Sequence, residues 1–139
     1  MATDKIVQFN SDQQRSEYEK LKREAIGDSA FNLEKKWEVQ AERNLRGIEL
    51  EKTGRIDEAI SLYEQNVKER FDGSHPYTRL AVLYNRRKQY DKEIRALKKA
   101  VRIFKDGNKG WYFANRLEKA QEKVKKDYIY DRSERKENI

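Results

Sequence analysis

The chain has no cysteine, one proline, one histidine and one methionine among its 139 residues. Without cysteine there are no disulfides and no thiolate metal sites, which fits a reducing compartment. One proline leaves room for long helices. A single histidine, His75, cannot supply the convergent ligands a metal site wants, and it reads as a structural turn residue. The serines have no identifiable partner base. Gly47, Gly54 and Gly73 are too scattered for a phosphate-cradling loop. No apolar run approaches the roughly 18 residues of a membrane-spanning helix. Met1 to Asn10 lacks the apolar centre of a secretory signal. These absences lead to an expectation of no catalytic centre, cofactor, metal or membrane segment, and of a cytoplasmic location.

What the chain has in quantity is charge. Charged residues make up 41% of the chain and hydrophobic residues 36%, a balance suited to helices that bury one face and solvate the other. The formal net charge is +7. Residues 86–139 hold 18 Lys and Arg against 9 Asp and Glu, a net of +9. The remainder is close to neutral. Such asymmetry fits an acidic partner or a nucleic acid, and equally a solvated helix surface.

Internal similarity organises the rest. Shifted by 34 residues, 55–73 overlies 89–107: Asp57 meets Asp91, Ile60 meets Ile94, Val67 meets Val101, and Asp72-Gly73 meets Asp106-Gly107. Lys68 meets Arg102 in the same comparison. Apolar residues at helical spacing fill each segment. Ile56, Ala59, Ile60, Tyr63 and Val67 form one stripe. Tyr77, Leu80, Ala81 and Tyr84 form the next, and Tyr90, Ile94, Leu97, Val101 and Phe104 a third. Gly54 is placed to close a helix in the left-handed conformation. Ser74 is an N-cap candidate, and Pro76 suits a first helical turn. A last helix over about 109–127 opens with Trp111 and carries Ala114, Leu117, Ala120 and Val124. Earlier in the chain, Ser11 caps a helix near 12–26, Gly27-Asp28-Ser29 is a break, and 30–53 is one long helix. Lys5 to Phe9 reads as extended, and the charged tail 128–139 reads as frayed.

A 34-residue helix–turn–helix unit with small residues at close contacts resembles the tetratricopeptide (TPR) family. Gly47 and Ala59, then Ala81 and Ala100, take the small positions; Tyr63, Tyr77, Tyr84, Tyr90 and Leu97 are the large partners. The run Phe71 to Tyr77 is similar to small bacterial TPR proteins. The resemblance implies an all-α fold, a short right-handed α-solenoid of antiparallel helix pairs. It divides the chain into an N-terminal segment (1–29), a helical domain (30–127; repeats about 40–73 and 74–107, then the capping helix) and the tail (128–139). The sequence departs from the family at Arg43, which stands where Tyr77 does, and at Glu93, which stands where Ala59 does.

The resemblance also implies a function, binding an acidic or extended partner segment as an adaptor or regulator. The first helices of successive units would form a concave groove presenting Asn44, Ile48, Thr78, Arg79, Val82, Asn85, Arg86, Tyr112 and Arg116. Asn can bond a peptide backbone in both directions, and Arg can grip a carboxylate at two points. The groove is either open or filled by the chain's own N-terminal helix. On the opposite, convex face Lys88, Lys92, Arg95, Lys99 and Arg102 recur every three or four residues. That stripe is either a solvated helix back or a contact for the phosphates of a nucleic acid. The partner's identity and the oligomeric state are not legible in these residues.

Overall fold

The structure, a computed structural model, describes residues 8–137, with side chains as far as Tyr128. The expected extended segment therefore lies outside the described residues up to Val7. Among the described residues the fold is all-α, with six helices. They are α1 (Asp12–Ile26), α2 (Asp28–Lys52), α3 (Ile56–Lys68), α4 (His75–Arg86), α5 (Tyr90–Ile103) and α6 (Gly107–Glu137). None is long and apolar enough to cross a membrane.

Two compact units divide the chain, one ending at Val39 and the other beginning at Gln40. The boundary falls within α2, whereas the sequence places it after residue 29. Gly27, at φ 88°, is a sufficient break between α1 and α2, and Asp28 already begins the second helix. In the first unit Ser11 caps α1 by accepting from the Gln14 amide at 3.2 Å. Lys22 donates to Glu34, Lys35 pairs with Glu19, and the Arg23 guanidinium lies over the Phe31 ring at 4.6 Å. Phe31 is the buried anchor, while Leu21 and Leu33 stay about two-thirds exposed. This unit is held by ion pairs around one aromatic ring.

The second unit has the larger apolar core. Ala59, Tyr63, Tyr77, Leu80, Ala81, Leu97 and Ala100 are fully enclosed. The small residues let helices approach. An added Cβ on Gly47 would stand 2.5 Å from the Tyr63 ring, so α2 and α3 meet where α2 has no side chain. The 34-residue period reappears in the turns. The α2–α3 turn has positive φ at Gly54, and the α4–α5 turn has it at Lys88. Arg55 N–H bonds Leu50 O at 2.8 Å, and Gln89 N–H bonds Tyr84 O at 2.9 Å. These are the six-to-one bonds of one helix-ending motif, made with Gly once and with Lys once. Ser74 occupies the N-cap of α4, but its hydroxyl caps nothing; its carbonyl accepts from Thr78.

The period fails at α6. Trp111 stands 34 residues after the fully buried Tyr77, yet it is 70% exposed. Gly110, Phe113, Leu117 and Ala120 face inward instead, and Ala114 is exposed. The cause is Gly110. A Cβ there would lie 2.3 Å from Phe104 O, so only glycine lets the first turn of α6 rest on the end of α5. That contact rotates α6 until Phe113 stacks on Phe104 at 5.5 Å and meets the Tyr77 ring edge-on at 6.4 Å. The helix also runs ten residues past the expected end at 127: its backbone stays helical to Glu137.

Candidate partner-binding face and its ion pairs

The expected concave residues come from α2, α4 and α6, and the structure divides them into three kinds. Arg79, Asn85 and Arg116 are committed to ion pairs and hydrogen bonds that cross from helix to helix. Arg79 of α4 reaches Glu51 of α2 through two bonds, Nε to Oε2 at 3.1 Å and an Nη2 bond to Oε1 at 2.5 Å. Tyr63 also donates to Glu51, at 2.7 Å. Burial works to raise the Glu51 carboxyl; Arg79 and the Tyr63 hydroxyl outweigh it and hold it below the ordinary carboxylate range. Burial, with Glu51 as acceptor, pushes the Tyr63 hydroxyl upward. His75 closes this cluster, its ring 5.5 Å from Tyr63 at 74° and its Nε2 buried with no hydrogen-bond partner. Burial, then the neighbouring Arg79 charge, lower its pKa, against a weaker pull from Glu51.

A second cluster lies one helix further on. Asn85 of α4 donates to both oxygens of Glu93, at 3.2 and 3.4 Å. Arg116 of α6 approaches Glu93 at 3.8 Å and donates to the Tyr112 hydroxyl at 3.2 Å. Glu93 is only 2% exposed. It fills the position that Ala59 fills one repeat earlier. A buried carboxylate in a core helix needs such partners, because an unpaired one is costly.

Asn44 and Thr78 do not serve as expected. Asn44 is buried against α3, where its Oδ1 accepts from Asn66 Nδ2 at 2.8 Å. Asn66 also donates to Gln40 O at 2.8 Å and accepts from Arg43, which in turn pairs with Glu69 at 2.7 Å. So Arg43, the departure at the position of Tyr77, belongs to a polar α2–α3 joint. Thr78 spends its hydroxyl on Ser74 O. The third kind is open. Ile48 and Val82 are half-buried, Tyr112 is 36% exposed, and Arg86 is exposed with no ion pair or side-chain hydrogen bond among the described residues.

The expected convex residues also separate. Lys88 lies in the α4–α5 turn, not on α5, which begins at Tyr90. Arg95 is held by Glu64 of α3 at 2.7 Å, and Glu64 accepts from Tyr84 at 2.5 Å as well. Lys92, Lys99 and Arg102 share α5, and an open groove of about 450 Å³ lies between α3 and α5 beside the last two. Lys68 of α3 lines that groove and is absent from the expected stripe. Its 34-residue match to Arg102 was the signal for it.

Comparison with known protein families, curated proteins and solved structures finds no match to the chain.

Proposed function

We propose that the chain is a TPR-type helical-repeat module that binds an extended segment of a partner protein on its α2–α4–α6 face, as an adaptor or regulator. The contacts of the second unit support a stacked-hairpin arrangement. Each helix meets the next along the chain and also the one after it: α2 with α3 and α4, α3 with α4 and α5, α4 with α6. Repeat arrays stack in this way. The observation that carries the reading is the bidentate Glu51–Arg79 link between the first helices of successive units. It fixes Ile48, Val82 and Arg86 on elements that do not need to move when a ligand arrives, which lowers the cost of binding.

The pairs also change the chemistry of the face. Arg79 and Arg116 already meet carboxylates, so they add little attraction for an acid. Among the described residues, Arg86 is a cation of this face without an ion pair or side-chain hydrogen bond. The fitting ligand is an extended segment with apolar side chains against Ile48, Val82 and Tyr112, and one acidic group at Arg86.

A displayed library of random peptides tests this. Selected peptides should carry an acid at one position, and Arg86→Ala should weaken them by about tenfold or more, the loss of one charge-assisted bond. Adding Tyr112→Ala should weaken them further at unchanged melting temperature. The variant with Lys92, Arg95, Lys99 and Arg102 changed to Glu should still bind. Peptides that survive the first changes and fail on the last would refute the site.

A further inference from the structure

We propose that the groove between α3 and α5 is a second site, one that grips the phosphodiester backbone of a double-stranded nucleic acid without reading its bases. It lies on other helices than the peptide face and does not depend on that reading.

The groove is neutral at one end and basic at the other. At the neutral end Arg95 is matched by Glu64. At the basic end Lys68 is the last residue of α3, and Lys99 and Arg102 occupy the last turn and a half of α5. None of these three has an ion pair or hydrogen bond among the described residues. Two helix C-termini meet there, each contributing about half a negative charge. Three full cations exceed that, leaving a net surplus of about two positive charges open to solvent. Ser61 also lines the groove and offers a neutral hydroxyl donor to phosphate oxygens, while Gln65 beside it donates to Glu69 at 2.7 Å.

The basic surface is a strip, not a point. Lys92, Lys99 and Arg102 succeed one another along α5, with the Glu64-paired Arg95 between the first two. At 1.5 Å per residue they cover about 15 Å, the length of about four phosphates along one strand of a duplex. Beyond the groove, Lys119, Lys123 and Lys126 on α6 are exposed too. Interleaved with the exposed Glu118, Glu122 and Asp127, they add little to the positive field. Among the described residues no aromatic ring lines the groove, so they offer no platform on which unpaired bases could stack. Its apolar floor is only Val67 and Ala96, too little to anchor a folded protein partner through hot-spot burial. A regular backbone with one negative charge on each phosphate suits this surface best.

The test uses the full chain and a fluorescent duplex of about 20 base pairs and mixed sequence, followed by anisotropy at about 50 to 200 mM salt. Binding should be measurable at the low end and should weaken with a log–log salt slope of about −3, the signature of three to four neutralised phosphates. Lys68→Ala, Lys99→Ala and Arg102→Ala together should weaken binding more than about tenfold and flatten the slope by about 1 per cation. The same loss of charge at Lys119, Lys123 and Lys126 should cost much less. In the unaltered protein, bound duplex should protect Lys68 and Lys99 from acetylation, a readout that needs no variant to fold. Three outcomes would overturn the proposal: no binding at the lowest salt, equal effects of the two triple changes, or acetylation unchanged by duplex. Displacement of the duplex by a polyglutamate peptide more effectively than by unlabelled duplex would assign the groove to an acidic protein instead.

Discussion

At the scale of single residues, two of the three arginines expected to greet a partner, Arg79 and Arg116, are tied inward. Arg79 keeps 28% of its side chain exposed and the Glu51 it holds only 13%. The guanidinium therefore acts within the fold, and solvent screens it only in part. Arg79→Ala would leave Glu51 with the Tyr63 hydroxyl alone, and the loss of a bidentate charge-assisted contact costs about 1.5–3 kcal/mol. We expect a clear fall in melting temperature for Arg79→Ala and almost none for Arg86→Ala, read by thermal denaturation. Equal stability of the two variants would mean that the Glu51 pair carries nothing. Asn66 teaches the same lesson. A fully buried asparagine joins Gln40, Asn44 and Arg43 across two helices, although a polar residue in an apolar stripe gives no warning of that role.

At the scale of elements, the helices follow their sequence patterns closely except where one helix rests on another. Helices α3, α4 and α5 bury the residues their spacing marks, because the same stripe that defines each helix is the surface it must hide. Helix α6 has two adjacent candidate stripes, one through Trp111 and Ala114, the other through Gly110 and Phe113. Bulk favours the first, and the close approach of Gly110 to Phe104 O selects the second. The measurable consequence is a contrast. Phe113→Ala should destabilise by about 3–5 kcal/mol, the cost of emptying a buried aromatic site. Trp111→Ala, at an exposed position, should stay within about 0.5 kcal/mol. Chemical denaturation of both variants reads this directly, and the reverse order would restore the 34-residue register to α6.

At the scale of the whole molecule, stability should depend on pH through His75. The groups facing it are Tyr63 of α3, Glu51 of α2 and Arg79 on its own helix α4. Burial and Arg79 depress its pKa below 6.5. The folded chain therefore binds this proton less readily than the unfolded chain does. The stability tied to neutral His75 is full above about pH 6.5 and is lost as pH falls below it. The melting temperature should drop between about pH 7 and pH 5, and His75→Phe should flatten that drop. The depressed carboxyls of Glu19, Glu51 and Glu69 act in the same direction, but at lower pH. An identical pH profile in His75→Phe would remove His75 as the cause.

The sequence by itself determined the all-α class, five of the six helices to within a few residues, the helix-closing turn at Gly54, and the small residues at close contacts. Each follows from local spacing: a period near 3.6, a residue able to take positive φ, or a glycine where a neighbour needs room. The tertiary structure alone decided which charges are free. Arg79, Arg95 and Arg116 read on paper like Arg86 and Arg102. Only folding brings Glu51, Glu64 and Glu93 from 23 to 31 positions away in the chain to meet them. It also decided the rotation of α6 and the division of the chain inside α2. The physical reason is common to all three. A charge pair or a backbone contact depends on what another element presents, and no periodicity within one helix carries that information.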